Sequence, residues 1–189
     1  NETVSFAFDD IESVSWAKEA IEELYKKEVI SGKELRRFYP QDNVTREEFL
    51  KMIVVAFGLS DKNADASFTD VTKDAWYYPY VASGVKYGII MGNADGSFGI
   101  GTQISRQDMA VIMERVLKNL GYPDSDNKNN SFSDYESISA YAKNAVLNIE
   151  SDATVKAVDW AVQIVKEGSV LNTAGKLTAT GGCATITGN

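Results

Sequence analysis

Apolar positions along this chain alternate between helical runs and short turn-rich breaks. Trp16, Ala17, Ala20, Ile21, Leu24 and Tyr25 recur at helical spacing, which predicts an amphipathic helix over about residues 13–27. A loop follows through Val29-Ile-Ser-Gly32 to Pro40, with Phe38 and Tyr39 folding back onto the core. Thr45-Arg46-Glu47-Glu48 then carries the spacing of a capping box, in which the threonine hydroxyl and the glutamate each satisfy a backbone N–H. Phe49, Met52, Ile53, Val54, Val55, Ala56 and Phe57 are apolar around most of a helical circumference. The pattern predicts a second helix buried on nearly all sides, with Gly58 as its stop.

The scheme then repeats. Trp76, Tyr80, Val81, Val85 and Tyr87 predict another first helix, with Pro79 tolerable only near its first turn and Gly88 closing it. Asn93-Ala-Asp95-Gly96 is a turn signal. Ser105, three residues before Asp108, opens a second capped helix carrying Met109, Val111, Ile112, Met113, Val116, Leu117 and Leu120, stopped at Gly121 and Pro123. Phe8, Trp16, Gly32 and Arg46 reappear as Phe68, Trp76, Gly92 and Arg106, each sixty residues on. A fixed period of this length marks a unit that buries its apolar face against copies of itself.

A third copy opens at Phe132-Ser-Asp-Tyr135, with a helix carrying Tyr141, Ala142, Ala145 and Val146. An insertion near 147–158 then intervenes, so that either one long helix runs over 139–166 or Ser151-Asp152 caps a second one. Two helices are the favoured reading. The expected organisation is three repeats, 1–60, 61–122 and 123–189, forming one mainly α domain.

Composition narrows the chemistry. With 27 acidic against 19 basic side chains among 189 residues, bulk charge argues against nucleic acid as a partner. Any bound anion needs a local positive site. There is no histidine, which removes the commonest general base and most zinc sites, and the single Cys183 cannot form an internal disulfide. Asp61-Lys-Asn63-Ala-Asp65 resembles the start of a calcium loop. Ala66 stands where that loop turns on glycine, however, and Thr72 where it needs a glutamate, so a solvated linker is the better reading. No catalytic residue, metal or cofactor is expected, and no stretch is long and apolar enough to span a membrane. No signal peptide is visible, which is compatible with a chain that begins after one.

The ordered set resembles one family. Phe-x-Asp-aliphatic, Trp, Gly88-Ile-Ile-Met-Gly92, Asp95-Gly-Ser-Phe98 and Ser105-Arg-Gln-Asp108, with their first-unit equivalents, are similar to the S-layer homology (SLH) family over about residues 6–180. The resemblance implies a pseudo-threefold module, its capped helices gathered into a central helical bundle with prongs and loops around it. It implies an extracellular role: non-covalent anchoring of a surface protein to a bacterial cell wall. The ligand it implies is a secondary cell wall polysaccharide bearing pyruvate ketals on N-acetylmannosamine.

The residues offer a physical basis for that. Arg46 and Arg106 each fall at the first position of a capped helix, where unpaired N–H groups and the helix dipole already favour an anion. A guanidinium there adds a fork matched to a carboxylate. Gly32 and Gly92 would let a sugar approach the backbone closely. Trp16 and Trp76 read first as core and second as an apolar wall for a sugar ring. Asp10 and Asp70 read as helix caps or turn formers first and sugar contacts second.

Three departures stand out. Glu28 occupies the place of Gly88, so the first loop is expected to differ. In the third unit Asn172 replaces the second glycine, and Ala184-Thr185-Ile186-Thr187 stands where Thr-Arg-Ala-Glu would be. The bundle would then lack a member, leaving apolar faces at 49–57 and 109–120 for the segment around 139–166, or a second copy of the chain, to cover. Self-association through the incomplete third repeat follows as an expectation. The alternative functions are a protein-interaction or S-layer assembly module without glycan binding and, lower, a glycan hydrolase, for which no convincing carboxylate pair exists.

Overall fold

Two capped helices, each preceded by an aspartate-held loop, dominate the computed structural model, which describes residues 7–122, 124 and 132–150. The insertion beyond residue 150 and the altered third motif at 184–187 lie outside these residues. A 3-10 turn, Glu12–Val14, leads into α1 (Ser15–Lys26), followed by α2 (Arg46–Ala56), α3 (Tyr78–Lys86) and α4 (Arg106–Asn119). A second 3-10 turn, Tyr135–Ser137, precedes α5 (Ala140–Glu150). Among the described residues there is no extended strand, only isolated bridges at Glu34–Arg37 and Thr45–Gln103.

Local chemistry sets the helix ends. Thr45 and Glu48 form both halves of the capping box on α2, whereas Ser105 supplies the one hydroxyl cap of α4 to the Asp108 N–H. Gly58, Gly88 and Gly121 take left-handed conformations just beyond α2, α3 and α4, as the stop signals require. Pro79 sits in the first turn of α3, where its missing N–H costs no helical bond.

Each capped helix packs chiefly on the helix that follows it: α2 on α3, and α4 on α5. The principal core joins the first two units through Phe8, Ile11, Leu50, Ile53, Val81, Ile89, Phe98 and Ile112. A second cluster sets Ala110 and Val111 of α4 against Ala142, Ala145 and Val146 of α5. α5 thus covers the Ala110–Val111 side of α4.

Three expectations need correction. Trp76 does not belong to a helix; it lies in the turn before α3. Neither tryptophan is core: Trp16 is 54% exposed and Trp76 55%. The buried stripe of α1 runs through Ile21 and Leu24, and Trp16 stands off it, a distinction that helical spacing alone does not make. The first loop also does not diverge at Glu28, which adopts φ of 60° where Gly88 has 66°.

Candidate functional site at the capped helix starts

The start of α2 is docked on the second unit. The Arg46 N–H donates to Thr102 O (2.9 Å) and the Ile104 N–H to Val44 O (3.1 Å). Glu47, only 7% exposed, accepts the Gly101 N–H with both carboxylate oxygens (3.1 and 3.2 Å). Beside this seam the Arg46 guanidinium carbon lies 5.1 Å from the centre of the Phe98 ring. A cation over a ring face is attracted by the ring quadrupole, and more so where water is excluded. Phe98 is fully buried, so its ring forms a fixed floor under that cation. Arg46 forms no ion pair among the described residues, and its Nε is buried without a hydrogen-bond acceptor.

Asp70 holds the floor in place. Its carboxylate accepts the N–H groups of Phe98 (2.7 Å), Gly99 (2.7 Å) and Ile100 (2.9 Å). Burial opposes its charge, but these three bonds outweigh that and hold its pKa below the ordinary carboxylate range. Asp10 does the same in the first unit through Phe38 (2.9 Å) and Tyr39 (2.8 Å). Its pKa too is lowered, with burial again opposing and the backbone bonds winning. Both aspartates are loop clasps rather than helix caps.

The start of α4 is closed by different contacts. Ser105 Oγ accepts the Asp108 N–H (3.2 Å) and donates to the Asp108 carboxylate (2.6 Å). The Tyr141 hydroxyl of α5 donates to the other Asp108 oxygen (2.8 Å) and accepts from Gln107 Nε2 (3.1 Å). Gln107 Oε1 accepts the Ser139 N–H (3.0 Å). Burial and Asp108 push the Tyr141 pKa up, while the nearby positive charge of Arg46 pulls it down. The two arginine-bearing starts thus share one neighbourhood, with Arg46 half-buried and Arg106 exposed.

Residues 7–50 and 67–110 each match the family model of the S-layer homology domain. These two units are S-layer homology repeats. Over 146 residues the chain is 33% identical to an endoglucanase of Bacillus sp. (strain KSM-635), covering 75% of this chain and 15% of that protein. It is 32% identical to an exoglucanase of Acetivibrio thermocellus, covering 76% of this chain and 13% of the relative. A surface-layer 125 kDa protein of Lysinibacillus sphaericus is 30% identical over 71% of this chain and 11% of its own length. The chain therefore spans less than a sixth of the relatives it matches here.

The remaining SLH motif positions have structural explanations of their own. A Cβ on Gly32 would overlap the carbonyl of Arg37 and the ring of Phe8, and one on Gly92 would overlap the Phe68 ring. The side of each glycine that a side chain would occupy is thus filled by its own repeat. Trp16 and Trp76 are exposed and available to solvent, Trp76 edge-on to Tyr77 at 5.5 Å between centroids. Asp61 and Asp65 of the linker are engaged by Lys86 and by Lys73 and Tyr78 respectively. Among the described residues no cluster of metal-binding side chains forms, and no helix is long and apolar enough to cross a membrane.

Three contributors escaped sequence reasoning: Glu47, Phe98 and Tyr141. Phe98 closes the Asp-Gly-x-Phe pattern, and its recurrence as Phe38 was the signal available. Glu47 sits within the capping stretch, where its neighbours Arg46 and Glu48 carry the local pattern and its own reach to Gly101 has no local sign. Tyr141 looked like one more member of an apolar stripe.

Proposed function

We propose that these SLH repeats anchor a larger surface protein to a bacterial cell wall by binding an acidic wall polysaccharide, with pyruvate ketals as the recognised groups. The observation that carries this is Arg46: a guanidinium at the first position of a capped helix, laid over Phe98 and without a carboxylate partner among the described residues. On a chain of net charge −8, that is a local anion site within an otherwise repulsive field. A pyruvyl carboxylate is planar and matches the guanidinium fork, while helix N–H groups add favourable dipoles. Arg106 holds the same first position on the capped helix α4 and is more exposed.

The relatives support this reading. They include proteins named as glucanases and as a surface-layer protein, and each matches over a small fraction of its length. A shared segment attached to unlike partners is what a separable anchor looks like. The third unit, the pseudo-threefold arrangement and the boundaries at 60 and 122 belong to the same proposal.

Titration of the chain with purified pyruvylated wall polysaccharide tests it. Arg46→Ala is expected to weaken binding by about tenfold to a hundredfold, the worth of a charge-assisted bidentate contact, and Arg106→Ala by less. Removal of pyruvate from the glycan should lower wild-type affinity to that of the double variant. Binding that is indifferent to both changes overturns the mechanism; concentration-dependent oligomers without glycan affinity would favour an assembly module instead.

A further inference from the structure

One place in the fold is filled in the first repeat and open in the second. In the first, the Tyr25 ring packs edge-on against Phe8, with 5.0 Å between centroids. Sixty residues on, Phe8 becomes Phe68 but Tyr25 becomes Val85. The missing ring leaves an open pocket of about 400 Å³, lined by Phe68, Val85, Ile90 and Met91 together with the exposed Asp65 and Ser67. Met91 is 75% exposed beside it. Asp65 takes Lys73 (2.9 Å) and the Tyr78 hydroxyl on one oxygen, Oδ1, and among the described residues no cation pairs with its other oxygen.

The first repeat carries a feature that matches this pocket. Leu35 is 91% exposed, more than any other large apolar side chain among the described residues. It stands where the second repeat has Asp95, whose carboxylate accepts the Ser97 N–H (3.0 Å) and hydroxyl (2.7 Å). A leucine there gives up both bonds and gains almost no burial, so the fold does not explain it. The tip is nevertheless held: the Lys33 N–H donates to Arg37 O (3.1 Å) and the Arg37 N–H to Glu34 O (3.1 Å). Arg36 is paired with Asp9, whereas Arg37 is exposed and makes no ion pair among the described residues. A fixed apolar knob beside an open guanidinium loses little freedom on docking, and arginine and methionine are enriched where proteins meet.

We propose that Leu35 of one copy of this chain seats in the Phe68–Val85–Met91 pocket of a second copy, with Arg37 meeting the open side of Asp65. A single contact then covers the two most exposed apolar side chains among the described residues, Leu35 and Met91. It also joins unlike charges on bodies of net charge −8 that otherwise repel. Knob and pocket belong to different repeats, so each copy in a pair keeps one of them free, and the contact runs head to tail. A contact this small is weak, with a dissociation constant of about 0.1–1 mM. The inference goes beyond the anchoring reading and does not rest on it.

Sedimentation equilibrium of the 189-residue chain from about 10 µM to about 1 mM tests it, and the average mass should climb past that of a dimer. Two variants carry a residue from one repeat into the other: Leu35→Asp removes the knob and Val85→Tyr fills the pocket. Each alone should weaken association at least about tenfold while melting near the parent. Met91→Glu, at an exposed site, should do the same without touching the core. Mixed in equal amounts, Leu35→Asp and Val85→Tyr should form one-to-one dimers and nothing larger, because each retains the half the other lacks. Affinity for wall polysaccharide should be unchanged in all three variants, which keeps the result separate from the anchoring reading. A wild-type chain that stays monomeric throughout, undiminished association in any variant, or a mixture that does not pair overturns the proposal. Wild-type association that stops at a closed dimer overturns the head-to-tail geometry.

Discussion

The two SLH repeats trace nearly the same backbone with different residues at its most demanding points. Where the second has Gly88, Gly96 and Gly99, all at positive φ, the first has Glu28, Arg36 and Tyr39, with φ of 60°, 59° and 58°. Side chains rarely adopt that region, because Cβ crowds the following carbonyl. The same contrast runs through the aspartate clasp. Asp70 accepts three N–H groups and Asp10 only two, because Pro40 replaces Ile100 and has no N–H to give. The loop shape is therefore imposed by tertiary contacts and not by its glycines. Asp9 pairs with Arg36, and Glu34 accepts from the Tyr39 hydroxyl (2.8 Å), which fasten the strained loop from outside.

The clasps offer the largest test of that contrast. Asp70→Ala leaves three N–H groups without their charged acceptor and should cost about 3 kcal/mol in denaturant unfolding, with Asp10→Ala nearer 2. Equal losses would show that hydrogen-bond number does not set the difference. Both carboxylates have folded pKa values below the unfolded one of 3.8. Their stabilisation is therefore complete above that value and is lost as pH falls through the lower folded pKa. Asp70→Asn should flatten the acid limb of the stability curve more than Asp10→Asn does.

The left-handed positions supply a smaller pair of effects with opposite signs. Nothing lies within 4 Å of a Cβ built on Gly88, so Gly88→Ala meets only backbone strain and should destabilise by about 1–2 kcal/mol. Glu28→Gly, at the matching place after α1, should stabilise by about 0.5–1 kcal/mol. Unfolding of Glu28→Gly at or below the parent midpoint would mean that the glutamate makes a contribution which the backbone argument omits.

Much of this was legible in residue order, for reasons that differ by element. Thr45, Gly58 and Ser105 were read correctly because caps and stops act within four residues of themselves. The clasps were not, since Asp70 reaches Phe98 across 28 residues and no local pattern records such a bond. Trp16 and Trp76 were misplaced because spacing marks a face without saying which neighbour covers it. Of the site itself, Arg46 and Arg106 stood out through their caps, whereas Phe98 under Arg46 and Tyr141 beside Asp108 become visible only when successive units are set against each other.

That α2 rests on α3, and α4 on α5, has a consequence for how such modules can be divided. A cut between the two matched segments, near residue 60, severs one folding partnership and removes the α3 neighbour against which Leu50 packs at Gly84. The smallest excisable piece would run from the middle of one motif to the middle of the next, out of phase with the period visible in the letters. Recombination that swaps whole motifs between proteins would accordingly have to carry a neighbour along.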